Sequence, residues 1–162
     1  MAIAVNVAGA AEVKVGTGSA GALESLGYTR QGADVRNQGF FIDVPGDQHG
    51  GDQGPPIEVQ YLGEIARIRL ELTKWDDAIA AKIRTRLLAG TEGTPGTAGT
   101  LMFGDSKTVR VLLNTTTGKM NFPRCFIRGE WEMNKGTKYS TLVVEFEAHK
   151  DGSGILYNAV AT

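Results

Sequence analysis

Residues 120–148, MNFPRCFIRGEWEMNKGTKYSTLVVEFEA, form the stretch that decides the fold. In its second half, apolar residues recur at every second position, and this period of two predicts a β-strand with one apolar face. Asn134–Thr137 supplies a tight turn before that strand. The stretch therefore predicts a long antiparallel hairpin whose apolar face must be covered by further sheet. The apolar positions of the second strand are Leu142, Val144, Phe146 and Ala148.

The first strand of this hairpin also has two faces. Cys125, Ile127, Trp131 and Met133 point one way, so we expect Ile127, Trp131, Leu142, Val144 and Phe146 in the core. The opposite face is rich in charge, and carboxylates interleaved with arginines on an open sheet indicate cross-strand ion pairs rather than a catalytic pair in a cleft. This charged set comprises Arg124, Arg128, Glu130, Glu132, Glu145 and Glu147.

The composition indicates a single domain spanning residues 1–162 with no need of covalent cross-links. Lys and Arg number 17 against 18 Asp and Glu, so the whole chain carries no electrostatic footprint for nucleic acid. The one cysteine, Cys125, excludes an internal disulfide and is expected to be buried. No apolar run approaches the ~20 residues of a membrane span. The first basic residue is Lys14, so we expect no signal peptide and assembly in a cytoplasm.

Elsewhere, alternating segments predict further strands and one pattern predicts a helix. The helix is expected over residues 76–89, because Ile79, Ile83 and Leu87 form an apolar stripe and aspartates precede it. Residues 64–73 give the cleanest alternation, with Ile68, Leu70 and Leu72 on the inner face. The other predicted strands are 11–16, 22–29, 33–44, 108–114 and 155–160. The predicted fold is mainly β: an antiparallel sandwich or barrel of two packed sheets with one flanking helix.

Three segments are predicted to lack regular structure. They are an N-terminal arm (1–14), the loop PGDQHGGDQGPP (45–56) and the loop GTEGTPGTAGT (90–100), the last two rich in glycine and proline. Asp47, His49 and Asp52 do not have the spacing of a zinc or calcium site. Because these long loops show no metal site, we expect them to become ordered when they bind a partner.

No constellation for catalysis is present. The glycines of residues 16–21 match G-x-G-x-x-G, but the segment after them is broken by Gly27, so a turn is expected there rather than a nucleotide site. Neither His49 nor His149 has a companion at the spacing of a base and nucleophile. We therefore predict no enzyme activity, no cofactor and no metal.

Several stretches, taken in order, resemble bacteriophage tail tube proteins, the major tail protein family. They begin with Leu26–Thr29 before a strand, and with the 45–56 loop running into Pro55-Pro56-Ile57. They continue with Gly63–Arg67 opening an alternating strand before a short helix, and with Asn121–Cys125 ahead of the hairpin. Phe146–Ala148 and an Asp-Gly turn complete the order, which spans about residues 22–157.

The resemblance implies a structural virion protein in which hexameric rings stack into a tail tube that conducts DNA into the host. The partners would be further copies, a sheath if the tail is contractile, baseplate or tip and terminator proteins, and DNA in transit, with no membrane. The charged set on the hairpin would line either the channel or a subunit seam. The loop bridging subunits or rings would contain Asp43, Asp47, Gln48, His49, Asp52 and Gln53.

Two other classes of protein share this sequence profile. A capsid decoration or cement protein, or another accessory virion protein, is also small, rich in β-structure and armed with loops. A ligand-binding β-sandwich would need exposed aromatic residues along a groove, whereas the tyrosines and tryptophans are scattered along this chain. The mid-chain helix and the long loop favour the tube.

Overall fold

A computed structural model describes residues 11–46, 54–87, 94–102, 104, 106–115, 118–136 and 140–160. Seven strands and one helix follow one another along the chain. They are β1 (Glu12–Thr17), β2 (Glu24–Val44), β3 (Glu58–Trp75), α1 (Asp77–Leu87), β4 (Val109–Thr115), β5 (Gly118–Lys135), β6 (Ser140–Ala148) and β7 (Asn158–Val160).

The strands form one antiparallel sheet that closes on itself. Their order is β4-β1-β2-β3-β6-β5-β7, and an additional pairing between β4 and β5 closes a barrel of six strands. The prediction of a mainly β, antiparallel barrel with one short helix is confirmed. The finer expectation of two separate packed sheets is not confirmed, because every strand belongs to one continuous hydrogen-bonded sheet.

The predicted hairpin of β5 and β6 is present as an antiparallel pair. Cys125 pairs with Ala148, Ile127 with Phe146, and Met133 with Leu142. Between Ile127 and Trp131 the register shifts, so residues 128–130 lie opposite Glu145 alone. Gly129 lies in this bulge with φ 156°, and a Cβ there would lie 2.9 Å from the Cδ of Glu145. Glycine thus lets the Glu145 side chain lie across the bulge.

The inward side chains of the barrel strands fill one core. Val13, Leu26, Val111 and Phe122 add residues from β1, β2, β4 and β5 to the core positions predicted from the sequence. Trp131 and Ile79 are only partly buried, and the Leu87 side chain lies outside the described part. The predicted core residues that are buried are Ile68, Leu70, Leu72, Ile83, Ile127, Leu142, Val144 and Phe146.

Helix α1 begins where the sequence predicts a cap. The carboxylate of Asp76 accepts hydrogen bonds from the backbone N–H groups of Ala78 at 2.9 Å and Ile79 at 3.1 Å, which satisfies two of the free donors of the first turn. The helix buries Ala80 and Ile83 in the core. It is 11 residues long, from Asp77 to Leu87, and residues 88–89 of the predicted helix lie outside the described residues. In the described part, no helix has the length and apolarity that crossing a bilayer requires.

Two predicted boundaries are wrong. Glu12–Lys14 belong to β1, which pairs with both β2 and β4, so the arm cannot reach residue 14. Asp43, which is predicted in the bridging loop, lies instead within β2 and pairs with Val59 of β3. Strand β2 is continuous from residue 24 to residue 44, and β3 begins at Glu58 rather than residue 64. The outer part of β2 agrees with the strand predicted over residues 33–44, whereas no strand is predicted over residues 58–63, which belong to β3.

Beyond the barrel, β2 and β3 continue as a two-stranded projection, residues 39–46 and 57–64, called the ribbon below. Its strands pair with each other out to Val44 and Glu58, whereas β6 pairs with β3 only from Ala66 to Leu72. A bulge at its base opposes Phe40 to Gly63 and Phe41 to Tyr61. Gly63 has φ 132°, a conformation that favours glycine, and this bulge redirects the ribbon.

A matched pair of leucines on β3 tests where the barrel ends. Leu70→Ala removes a fully buried side chain, and we expect it to lower the free energy of unfolding by about 2–5 kcal/mol. Leu62→Ala makes the same change in the ribbon, where the leucine is 59% exposed, so its effect should be small. Urea unfolding followed by circular dichroism measures both, and equal losses would contradict the boundary.

Candidate functional site

Charged side chains cover the outer face of the four neighbouring strands β2, β3, β6 and β5. In one row across the sheet, Arg36 pairs with Arg67, which pairs with Glu147. In the next row, Asp34 pairs with Arg69, which pairs with Glu145. Opposite charges therefore alternate in the second row, the arrangement that stabilises cross-strand pairs, whereas the first row places Arg36 opposite Arg67. This surface, extended over β5 and the top of β3, is called the charged face below. Its charged members are Asp34, Arg36, Arg67, Arg69, Glu71, Arg128, Glu130, Glu132, Glu145 and Glu147.

One ion pair of this face lies fully in solvent. Arg69 Nη2 lies 3.6 Å from Glu130 Oε2, and both side chains are more than half exposed. Such pairs stabilise a protein by at most about 1 kcal/mol. The pair therefore matters for the charge that the surface presents rather than for holding the fold together.

Glu147 differs from the other carboxylates because it is fully buried. Its Oε1 atom lies 2.7 Å from His149 Nε2 and 3.2 Å from Arg128 Nη1. Its Oε2 atom lies 3.7 Å from Arg67 Nε. The His149 ring stacks on Phe126 with 5.0 Å between centroids. The prediction of an open carboxylate is wrong at Glu147, since basic side chains from three elements cover it.

The other predicted residues of the charged set divide between two surroundings. Glu130 and Glu132 are exposed, and Glu145 is partly buried over the bulge. Arg124 lies away from the glutamates, and its Nη1 atom donates to the carbonyl oxygen of Lys150 at 3.5 Å. The charged face as a whole carries six carboxylates against four guanidinium groups. Its formal charge is therefore negative although arginines lie within it.

The neighbouring strands β2, β3, β6 and β5 form a four-stranded part of the sheet. Its two outer strands, β2 and β5, each have a long edge that lies open in the described part of the chain. β1 pairs with β2 only as far as Tyr28, and no other described strand covers that edge of β2 up to Val44. On the opposite side, β4 pairs with β5 only up to Cys125, and the rest of that edge is uncovered to Lys135. Open edges of this length are templates for pairing with another chain.

The ribbon exposes large apolar side chains on both faces. Phe41 and Leu62 are about 60% exposed, and Phe41 packs edgewise on Tyr61 with 5.6 Å between ring centroids. Monomeric soluble proteins seldom expose contiguous apolar surface of this kind, which marks interaction sites. One signal in the sequence sets this segment apart. Between residues 37 and 66 there is no Lys or Arg, whereas five carboxylates are present. The exposed apolar residues are Phe40, Phe41, Ile42, Val44, Ile57, Val59, Tyr61 and Leu62.

A groove of about 440 Å³ lies at the other end of the strands, between α1 and the end of β5. Ala80, Ala81, Trp131 and Met133 form its apolar floor and walls. Its charged rim consists of Asp77, Arg84 and Lys135. The carboxylate of Asp77 already accepts a hydrogen bond from Trp75 Nε1 at 2.9 Å. The groove therefore presents an apolar floor whose rim carries two cations and one carboxylate.

The described residues hold neither a metal-binding cluster nor an activated nucleophile. No group of three or more His, Cys, Asp and Glu side chains in this part could hold a metal. Cys125 is buried as predicted, and burial raises the pKa of its thiol well above the ordinary range. A protonated thiol is a poor nucleophile. The predicted loop residues Asp47, Gln48, His49, Asp52 and Gln53 lie outside the described residues.

No protein-family model matches this chain, and no curated protein sequence matches it.

The buried thiol predicts a loss of stability in alkaline solution. The folded state favours the neutral thiol, so this contribution is complete below the unfolded pKa of about 8.5 and is lost as the pH rises above it. Between pH 8 and pH 9.5 we expect wild type to lose about 1.2 kcal/mol more unfolding free energy than Cys125→Ala. Urea unfolding at both pH values measures the difference, and identical losses in both proteins would contradict it.

Glu147 also predicts how the charged face responds to DNA. Glu147→Gln removes the negative charge facing Arg67 and Arg128, whose side chains are 46% and 67% exposed and can turn to solvent. Two new phosphate contacts would steepen the slope of log binding constant against log salt by about 1.8. Fluorescence anisotropy with duplex DNA at several salt concentrations measures the slope.

The matched control is Glu132→Gln, which makes the same charge change at an exposed position on the same face. We expect this control to leave the slope near that of wild type. A slope that steepens equally in both variants would mean that net charge, rather than the cover over Glu147, governs DNA binding.

Proposed function

We propose that this chain is a structural virion protein whose copies form rings that stack into a phage tail tube conducting DNA. The observation that carries the proposal is the pair of open edges on one four-stranded sheet, β2 beyond Tyr28 and β5 beyond Cys125. A sheet with two such edges extends from copy to copy.

The two edges are complementary in direction. Each of the neighbouring pairs β2–β3, β3–β6 and β6–β5 is antiparallel, so β2 and β5 run in opposite directions. The β2 edge of one copy can therefore add antiparallel to the β5 edge of the next. Contacts between different surfaces of identical subunits generate a ring when the rotation closes. Six copies, the number that the tail-tube resemblance implies, would give a continuous sheet around a channel.

In such a ring the charged face, opposite the core, lines the channel. Phosphate contacts dominate protein–DNA affinity, so a conduit must present few unpaired cations. Arg128 and Arg67 face the buried Glu147, and Arg69 pairs with Glu130. Three of the four arginines of this face thus have a carboxylate partner within the same subunit. The remaining half of the flattened barrel would form the outer layer of a two-layered wall.

The ribbon and the adjoining loop then serve contacts between rings. The ribbon is apolar, acidic and directed away from the barrel along the strands. The resemblance implies the same contact for Asp47, Gln48, His49, Asp52 and Gln53, which lie outside the described residues. Sheath, tip and terminator proteins would bind the outside and the ends of the finished tube, and DNA would pass through it transiently.

The second candidate is a capsid decoration or cement protein. The exposed apolar ribbon supports it, because a ribbon of this kind can also insert into a capsid lattice. The two open edges favour the tube, since a decoration protein needs no continuous sheet. Negative-stain microscopy separates the two: the tube protein forms rings or tubes alone, whereas a decoration protein remains dispersed without its capsid.

Proline substitution on β2 tests edge pairing. Adjacent residues of a strand direct their N–H groups to opposite sides, so one of Asn37→Pro and Gln38→Pro removes an N–H from the open edge and the other removes one from the pairing with β3. The variant that loses its N–H from the open edge should keep the unfolding free energy of wild type, because its pairing with β3 is intact. We expect the same variant to form no rings in negative stain. Normal rings in both variants would refute edge pairing.

A further inference from the structure

The two ends of the molecule differ in charge and shape. β3 is 18 residues long, which corresponds to about 55 Å of strand, with the ribbon at its beginning and α1 directly after its end. The groove between α1 and β5 lies at the α1 end, because β5 pairs with β6 up to Lys135 and Ser140, beyond Met133 and Leu142. The ribbon and the groove are therefore at opposite ends of the long strands.

Their surfaces are complementary. The described ribbon carries Asp43, Glu58 and Glu64 and no basic residue, and its aromatic and aliphatic side chains are exposed. The groove has the apolar floor of Ala80, Ala81, Trp131 and Met133. Arg84 and Lys135 lie at its rim beside the carboxylate of Asp77, so the rim has two cations and one anion. An acidic apolar projection thus corresponds to a basic apolar groove on the same chain.

We propose that the groove between α1 and β5 is the docking site for the ribbon of a second copy of this chain. The ribbon's Phe41, Tyr61 and Leu62 side chains cover the apolar floor, and Asp43 and Glu58 lie near Arg84 and Lys135. The contact joins two different surfaces at opposite ends of the molecule, so it propagates along one direction without closing. It rests on the proposed function, for which it supplies the contact between successive rings.

Charge reversal gives a sharp test because the two halves of the contact can be changed separately. Variant A carries Asp43→Lys and Glu58→Lys on the ribbon, and variant B carries Arg84→Glu and Lys135→Glu on the groove. Each variant alone places like charges at the contact, which opposes association. We expect each to need at least tenfold more protein than wild type to form stacks, measured by sedimentation velocity and negative stain.

Mixing the two variants should restore stacking. The basic ribbon of variant A fits the acidic groove of variant B, and the unchanged ribbon of variant B fits the unchanged groove of variant A. We therefore expect an equimolar mixture, and also the single chain carrying all four substitutions, to stack near the wild-type concentration. The control is Asp34→Lys with Glu71→Lys, the same charge change on the charged face, which should leave stacking between rings in place.

The outcomes separate this inference from the function on which it rests. Rings that form but do not stack in A or B, with rescue on mixing, support the docking site. Wild-type tubes that are unaffected by either variant, or no rescue on mixing, overturn the docking site and leave the tube standing. A wild-type protein that forms no rings overturns the tube. In that case, head-to-tail association rescued only in the mixture would still support the docking site, and its absence would overturn both.

Discussion

The constraint on which this structure depends is that strand backbone must find hydrogen-bond partners, and the long strands β2, β3 and β5 extend beyond the segments that are paired on both sides. β1 pairs with β2 at the α1 end of these strands, and β4 pairs with β5 at the ribbon end. Past Tyr28 and Cys125, neither strand has a neighbour on its outer side in the described chain. Exposed edges usually carry devices that block pairing. Here both edges are long, although each contains a bulge, at residues 128–130 of β5 and between Phe40 and Phe41 of β2.

Glu147 shows how such a sheet can contain arginine and still present little free positive charge. A buried carboxylate is costly unless cations and hydrogen bonds compensate it. His149, Arg128 and Arg67 surround this one from β3, β5 and the end of β6. The arrangement fixes two guanidinium groups toward their own subunit. Coulomb attraction that does little for stability at the exposed Arg69–Glu130 pair has a larger effect at Glu147, because water is excluded there.

The sequence predicted those parts of the fold whose side chains alternate between core and solvent. Leu70, Leu142 and Phe146 could be placed because one face of each strand is buried. The outer part of β3 was not predicted, although Val59 and Tyr61 alternate with Glu58 and Gln60, and both faces of the ribbon are exposed rather than packed on the core. The open edges of β2 and β5 could not be predicted from the sequence either. They depend on the residue at which a strand distant in the sequence stops pairing. Glu147 has the same alternating position as Glu145, and only tertiary neighbours distinguish the buried carboxylate from its partly exposed counterpart.

Edge pairing and ribbon docking differ in one respect that determines the shape of an assembly. Pairing between β2 and β5 lies across the strands, so a curved sheet can return to its first copy and leave no edge open. Docking between ribbon and groove lies along the strands, where an acidic end meets a basic end. Nothing in that contact closes it, because each added ring presents a new ribbon and a new groove. A chain that makes both proposed contacts would therefore form an assembly of fixed circumference and open length.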